Sequence, residues 1–191
     1  MVTLKHICLL IAFAAVVKSD FQWGGCPSYS RRLESFEVSK YSGKWFEIAR
    51  EQSTPYQKGE CGTAEYSLNE DGSLKVVNSE LLPSGEFNSI IGRITTTSDP
   101  FRLQVEFSDS FFGKLFKGDY QVVDTDYESF SVVYSCTSLF VGRIEYYWIL
   151  SRTPHIESDK TIELLNVFSE KLNVSVDKFK FTNQEKDACR R

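Results

Sequence analysis

Histidine is nearly absent from this sequence, which has only two such residues in 191, His6 and His155. Many zinc sites and most nucleophilic catalytic triads use an imidazole, so this sequence offers few residues for either kind of site. No two cysteines stand close together along the chain, which also argues against a zinc site. We therefore expect no metal site and no hydrolytic triad.

Long apolar runs are missing after the N-terminus, so the sequence predicts no membrane helix. The one exception, Ile7–Val17, follows Lys5 and has eleven residues, too few to cross a bilayer. Such a run is typical of a secretory signal peptide, and its position disfavours the alternative of a buried core helix. We expect a signal peptide over residues 1–19 and one secreted domain over residues 20–191.

Basic blocks are missing as well. Residues 1–19 contain Lys5 and Lys18 and no acid, so their removal changes the net charge from −4 to −6 (−4 − 2). A mildly acidic chain without a basic segment is not expected to bind nucleic acid.

Cysteine is scarce, with five residues in the whole chain. After the loss of Cys8, four cysteines remain: Cys26, Cys61, Cys136 and Cys189. Four cysteines in an oxidising compartment indicate two disulfides, and the residues alone leave three pairings open.

Short alternating segments are what the sequence has in quantity. Between Tyr41 and Arg152, such segments are separated by turn residues about every ten to fourteen positions, a pattern typical of all-β proteins. In "FRLQVEF", for example, Leu103 and Val105 share one face. Counting the opening segment Lys40–Arg50, the pattern predicts eight strands joined by short turns. Such a meander hides its edges best as an antiparallel up-and-down barrel, which has room for one small ligand.

The periodicity changes after the last of these strands. Ser158–Leu172 places apolar residues at helical spacing, which predicts an amphipathic helix packed outside the barrel. The apolar stripe read from the sequence is Ile162, Leu165, Phe168 and Leu172. The segment "VDKFKF" that follows is a candidate for a short added strand.

An up-and-down barrel needs a plug at its closed end, and a tryptophan near the start of the first strand fits that role. The glycine two residues earlier lets another backbone approach. The topology brings Trp45, the turn after the sixth strand and Arg152 to this same end. An arginine over an indole contributes a cation–π contact of about 0.5–2 kcal/mol.

These motifs carry a family resemblance. Taken in order, Gly43-Lys44-Trp45, Thr125-Asp126-Tyr127 and Arg152 resemble the three sequence signatures of the lipocalins. The similarity extends from Cys26 to Cys189 and is greatest to apolipoprotein D and the insect bilin-binding proteins. It implies a carrier of small apolar molecules, with disulfides Cys26–Cys136 and Cys61–Cys189.

Strand parity, supported by the same resemblance, predicts the side chains that line the interior. They are Ala64, Tyr66, Val76, Asn78, Asn88, Ile90, Leu103, Val105, Phe107, Tyr120, Val122, Val133, Tyr146 and Trp148. Asn78, Asn88 and Tyr120 are candidates to orient a carboxylate, hydroxyl or lactam group, or else to hold trapped water.

The leading hypothesis is a non-enzymatic secreted carrier of a fatty acid, steroid, retinoid-like lipid or bilin. A bilin bound without a covalent bond would be its only cofactor. One alternative is a lipid isomerase of lipocalin type that uses a free Cys61 thiol. Another is a protein that interacts with lipoproteins or a receptor.

Two surface features belong to these hypotheses. A loop at the open end carries Phe111, Phe112, Leu115 and Phe116, which we expect to contact a lipid surface, to cover the ligand, or to fold back on the rim. Asn173 begins the single Asn-x-Ser/Thr sequon and is a candidate glycosylation site.

Overall fold

A computed structural model describes residues 21–27, 36–99, 102–107 and 118–190 of the chain. The expected signal peptide, residues 1–19, lies outside this part, as do Phe111, Phe112, Leu115 and Phe116 of the open-end loop. The predictions that concern these residues therefore stay predictions.

The described residues form ten strands and two α-helices. In chain order they are β1 (Phe21–Trp23), α1 (Val38–Tyr41), β2 (Gly43–Glu51), β3 (Glu60–Leu68), β4 (Leu74–Leu81), β5 (Phe87–Thr96), β6 (Arg102–Phe107), β7 (Gly118–Thr125), β8 (Phe130–Ser138), β9 (Gly142–Ser151), α2 (Ser158–Leu172) and β10 (Phe179–Phe181). Neither helix is long and apolar enough to cross a membrane.

Strands β2 to β9 form a closed antiparallel barrel. Each pairs with its neighbour in sequence, and β9 also pairs with β2, which closes the circle. The predicted eight-stranded up-and-down barrel is confirmed. Closure gives each of these strands a partner on both sides, although the pairing of β2 with β3 covers only part of their length.

The wall is not continuous where β2 meets β3. Only Gly43–Phe46 of β2 pairs with β3, and Ala49–Glu51 pairs with β10 instead. The amide of Cys61 in β3 donates to the carbonyl of Asn183 at 2.9 Å, just after β10. Residues 179–184 thus fill the gap between β2 and β3, which we call the seam. The predicted added strand is found there.

Helix α2 packs outside the barrel, against outward-facing residues of β8 and β9. Tyr147 and Ile149 belong to this outer core, which the helix covers with Leu164, Val167, Phe168 and Leu172. The expectation that Ile162 faces the barrel is wrong, because Ile162 is 56% exposed. Leu164, Phe168 and Leu172 follow one another every fourth residue on one side of the helix, and Ile162 lies on the other side.

Candidate ligand-binding interior

The closed end of the barrel is sealed by Trp45 and Arg152. Trp45 is completely buried, and the guanidinium carbon of Arg152 lies 3.7 Å from the centroid of its ring. Arg152 also donates to the carbonyls of Lys40 and Lys44, both at 3.1 Å, and of Tyr127 at 3.0 Å. One side chain therefore ties together α1, the start of β2 and the turn between β7 and β8. We call this end the floor and the opposite end the mouth.

Gly43 is required by this arrangement for two reasons. Its φ is +99°, in the region that residues with a Cβ rarely adopt. A Cβ at this position would also lie 3.2 Å from an Nη1 atom of Arg152. The close neighbour is thus a guanidinium, whereas the sequence analysis expected a backbone.

The turn after β7 is held by Asp126. Its carboxylate accepts hydrogen bonds from the amides of Ser129 at 2.8 Å and Phe130 at 3.0 Å. Partial burial tends to raise the pKa of Asp126, but these bonds and the Ser129 hydroxyl outweigh burial and lower the pKa. The fixed turn presents the Tyr127 carbonyl to Arg152.

Residues paired across neighbouring strands share a face, so the register defines the inner wall. Ala64 pairs with Asn78, and Val76 pairs with Gly92, which pairs with Phe107. Most of the predicted lining residues belong to one interior cluster: Ala64, Tyr66, Val76, Leu103, Val105, Phe107, Tyr120, Val122, Val133 and Trp148. The same cluster contains Tyr41, Leu74, Ile94 and Leu150, which the predicted lining set did not include.

The other four predicted lining residues lie outside this cluster. Asn78 and Ile90 pair with each other on the inner face, and both are half-buried. Tyr146 is half-buried with its ring 6.3 Å from that of Trp148, whereas Asn88 is exposed. These side chains lie toward the mouth.

Burial changes along the interior. Near the floor, Tyr41, Trp45 and Leu74 are almost fully buried. Farther up, Ile90, Phe107 and Trp148 face inward yet stay half-buried. Inward-facing side chains with accessible surface border open space, so the interior is filled near the floor and open toward the mouth.

Four hydroxyl groups form a chain just above the floor. Tyr120 lies between Tyr66 and Tyr41, with hydroxyl–hydroxyl distances of 2.8 Å and 3.1 Å. The Tyr41 hydroxyl is in turn 2.8 Å from that of Ser131. Burial raises the pKa of Tyr41 to about 12 and the pKa values of Tyr66 and Tyr120 well above 10.0. The three phenols are therefore neutral at physiological pH.

Sequence analysis missed a buried ion pair in the upper wall. Glu47 and Arg50 are both almost fully buried and form a salt bridge with each other. Arg50 also donates to the Gly59 carbonyl at 2.9 Å and to the Thr182 hydroxyl at 3.1 Å. The alternation of residues along β2 does not reveal the pair, because an irregularity between Glu47 and Ala49 turns Arg50 inward.

This pair joins the seam to the inner wall. Gln57 donates to the Glu47 carboxylate at 2.8 Å and accepts from the Trp148 indole at 2.7 Å. Gln184 donates to the carbonyls of Glu47 and Gly62 at 2.9 Å and 2.7 Å. The loop after β2 and the segment that fills the seam are thereby fixed to one buried charge pair.

The cysteines form Cys26–Cys136 and Cys61–Cys189, the two disulfides that the resemblance implied. The Cys61 sulfur is therefore not a thiolate here, and the isomerase alternative lacks its nucleophile in this form. No group of three or more metal-ligating side chains occurs among the described residues.

Comparison with known proteins agrees with this geometry. A family model described as a lipocalin-like domain matches residues 36–184. This chain is a lipocalin. Its family is one of carriers for small hydrophobic molecules, in keeping with an apolar interior that is open at one end.

Named relatives of this lipocalin match along most of their length. Apolipoprotein D of Macaca fascicularis is 37% identical over 91% of this chain and 89% of that protein. The Lazarillo protein of Schistocerca americana is 33% identical over 82% of this chain and 72% of that protein. The structure of insecticyanin from Manduca sexta aligns with a TM-score of 0.74 at 22% identity, over 90% of this chain and 93% of that one, and supports the fold.

Proposed function

We propose that this lipocalin is a secreted carrier that binds one small hydrophobic molecule reversibly inside its barrel. The observation that carries the proposal is an apolar interior, sealed at the floor by Trp45 and accessible at the mouth. The two disulfides and the predicted signal peptide support secretion. Binding needs no chemical step, because burial of apolar surface supplies the free energy.

Simple energetics set the expected affinity. A ligand that buries roughly 400 Å² of apolar area gains on the order of 10 kcal/mol at ~25 cal/mol/Å². Association costs about 4–15 kcal/mol. At the low end of this cost, which a preformed pocket favours, about 6 kcal/mol remains and corresponds to a dissociation constant of tens of micromolar. We expect selectivity by shape to be loose.

Tryptophan fluorescence tests the proposal. The chain has three tryptophans: Trp45 is buried in the floor, Trp23 is exposed, and Trp148 borders the open interior. A ligand in the barrel should quench Trp148 saturably, and the variant Trp148→Phe should lose most of the quenching. Trp23→Phe is the matched control and should keep it. Absence of saturable quenching by retinoids, steroids, fatty acids and bilins would refute the carrier.

The ligand class is proposed as a fatty acid, steroid, retinoid-like lipid or bilin. The relationship to proteins named apolipoprotein D supports a colourless lipid. The absorption spectrum of the purified native protein separates the two. A strong red band identifies a bilin, and its absence favours a lipid.

A second role, contact with a lipid surface at the mouth, is favoured by the tip between β8 and β9. Leu139, Phe140 and Val141 are consecutive and exposed, and Trp23 of β1 lies beside them, paired with Gly142. A protruding apolar tip is the shape that enters a lipid interface. Phe111, Phe112, Leu115 and Phe116, which lie between β6 and β7 in the sequence, are proposed to add to the same surface.

Vesicle sedimentation tests this second role. Phe140→Ser should weaken binding to anionic vesicles, and so should the double change Phe111→Ser with Phe112→Ser. Phe181→Ser is the control, because Phe181 is an exposed phenylalanine on β10, in the side wall. Equal binding by all variants would refute the proposed contact between the mouth and a lipid surface.

A glycan is proposed at Asn173. The residue is exposed and follows the last turn of α2 in a left-handed conformation, with its amide bonded to Phe168. Removal of N-linked glycans should reduce the mass of the protein from a eukaryotic secretory host. Asn173→Gln should show no such change.

A further inference from the structure

The hydroxyl chain above the floor has a property that its members lack separately. Tyr66 comes from β3, Tyr120 from β7, Tyr41 from α1 and Ser131 from β8. Four hydroxyls joined by three hydrogen bonds use three of their four protons, so one O–H is left over. It lies at an end of the chain when all three bonds run in the same direction. Which end is free depends on the direction in which the bonds run.

Both directions are available, because hydroxyl protons rotate to suit their partners. When the bonds run from Ser131 toward Tyr66, the Tyr66 hydroxyl has a proton to donate. When they run the other way, it offers only lone pairs. Among the described residues, the Tyr66 hydroxyl has no hydrogen-bond partner besides Tyr120. The chain thus presents a donor or an acceptor as a ligand requires.

The position of the chain suits a ligand that reaches the bottom of the open interior. Tyr41 and Ser131 are fully buried below, whereas Tyr120 is half-buried at the boundary with accessible space. The surrounding inner wall is apolar, with Val76, Leu103 and Val122 close by in the same cluster. A slender ligand that enters through the mouth meets these hydroxyls with its leading end.

The charges along the described inner wall do not favour an anion. Glu47, Arg50 and Glu80 occupy inward positions, which gives a formal sum of −1 (−1 + 1 − 1). Arg50 is already paired with Glu47, and Glu80 accepts from the amides of Lys58 and Gly59. Arg152 lies below the Trp45 ring, bonded to backbone carbonyls.

A carboxylate that leaves water needs a charged partner or several donors to compensate for its lost hydration. The hydroxyl chain has one O–H to spare, which is enough for a neutral group and too little for an anion. The Tyr41, Tyr66 and Tyr120 hydroxyls supply no positive charge either, because a phenol is either neutral or anionic. An alcohol or a carbonyl group, in contrast, is satisfied by one or two hydrogen bonds.

We propose that this hydroxyl chain is the polar subsite of the ligand pocket. It selects ligands whose leading end is an uncharged hydroxyl or carbonyl group over ligands that end in a carboxylate. This inference rests on the proposed carrier function, which it deepens by naming the ligand's head group.

Retinol and retinoic acid test the selection, because they share a skeleton and differ in the head group. At pH 8, where retinoic acid is ionised, we expect retinol to bind at least tenfold more tightly in a fluorescence titration. Diphenylhexatriene, which has no polar group, serves as the reference for purely apolar binding. Equal or tighter binding of retinoic acid would overturn the inference.

Substitutions locate the selection in the chain. Tyr66→Phe should weaken retinol about five- to tenfold, the value of one hydrogen bond, and leave diphenylhexatriene unchanged. The matched control is Tyr134→Phe, which removes an equally buried hydroxyl that bonds Glu145 in the outer core and should alter neither ligand. Should Tyr66→Phe not fold, Tyr120→Phe takes its place.

The results distinguish a failure of this inference from a failure of the proposed carrier function. If Tyr66→Phe weakens both ligands alike, or neither, the chain only supports the floor and the inference is wrong, although the carrier stands. If the wild-type protein binds neither retinol nor diphenylhexatriene saturably, this inference is wrong. The proposed apolar pocket is then also wrong for ligands of this size.

Discussion

Arg152 joins three segments of the chain that are remote in sequence. It stacks on the Trp45 ring and donates to carbonyls of α1, β2 and the turn after β7. A lysine has neither the planar face for stacking nor the fork of donors that reaches these acceptors together. At the residue scale, the floor therefore depends on the guanidinium group itself, beyond its charge.

Replacing Arg152 with Met should destabilise the protein by about 2–4 kcal/mol, because the cation–π contact and the charged hydrogen bonds are lost together. Urea unfolding measures the loss. Arg93→Met is the control: Arg93 pairs with Asp71 on the surface, and such exposed pairs contribute about 0–1 kcal/mol. Similar losses in both variants would show that the floor does not depend on Arg152.

The buried tyrosines predict an alkaline limit to stability. Tyr41 ionises near pH 10.0 when unfolded but has a pKa of about 12 in the folded protein, because burial disfavours the phenolate. A folded-state pKa that is raised gives stability present below pH 10 and lost as pH rises toward 12. For Tyr41 alone this loss is about 3 kcal/mol, and Tyr66 and Tyr120 act in the same direction.

Thermal unfolding between pH 9 and pH 12, with tyrosinate absorbance recorded alongside, checks this limit. We expect the melting temperature to fall steeply above pH 10, and phenolate absorbance to appear together with unfolding. Tyr41→Phe should show a smaller fall. An unchanged pH dependence in that variant would contradict the role given to burial.

At the element scale, β10 is small but completes the barrel wall. It pairs with β2 where β3 has separated from it. Behind the gap, Thr182 bonds both side chains of the Glu47–Arg50 pair, and Gln184 donates to the backbone carbonyl of Glu47. Buried charges are tolerated when each is fully partnered, and here the partners come from three different segments. Removal of any one of these partners should therefore destabilise the seam.

Glu47→Gln should destabilise the protein by about 3–5 kcal/mol, since it leaves the buried Arg50 without its countercharge. The double variant with Arg50→Met should recover part of this loss, because no unpaired charge then remains. Glu60→Gln is the control, as Glu60 forms a half-exposed pair with Lys180 along the same seam. Urea unfolding measures the free energy of unfolding of each variant. If Glu47→Gln lost as little stability as Glu60→Gln, the role given to the ion pair would be refuted.

The sequence predicted the elements better than their irregularities. Alternation revealed the barrel strands, and helical spacing gave Ser158–Leu172 with its observed bounds. Helix α1 was missed because four residues are too few to show a period. Arg50 was missed because the predicted lining set includes no residue of β2, a strand in which one irregularity also reverses the parity.

The same limit applies to the candidate site. Parity placed Tyr66 and Tyr120 on the inner wall, but the hydroxyl chain needs Tyr41, which lies before the first barrel strand. Hydrogen bonds between β3, β7 and α1 depend on the curvature of the closed barrel, and no local pattern in the sequence encodes that curvature. Asn88, chosen by parity with the support of the family resemblance, proved to be exposed.

At the scale of the whole molecule, the two disulfides have different tasks. Cys26–Cys136 fastens the N-terminal segment to the outside of β8, whereas Cys61–Cys189 holds the segment that fills the seam. Only the Cys61–Cys189 disulfide should affect the rate at which the barrel releases a bound ligand.

Replacing Cys61 and Cys189 with serine should cost about 2–5 kcal/mol and also speed ligand release, because the seam then opens more often. Replacing Cys26 and Cys136 should lower stability by a similar amount and leave the release rate unchanged. Urea unfolding and stopped-flow displacement of a bound fluorescent lipid provide the two readouts. Equal release rates in both variants would show that the seam does not govern retention.

The order of synthesis gives the seam a further consequence. The ribosome delivers every barrel strand before β10, and Cys61 must wait through 128 residues of translation for its partner sulfur. Until then, the gap between β2 and β3 stays unfilled and the Cys61 thiol stays unpaired. Under the proposed carrier function, we therefore expect a bound ligand to be retained only by molecules in which this last disulfide has formed.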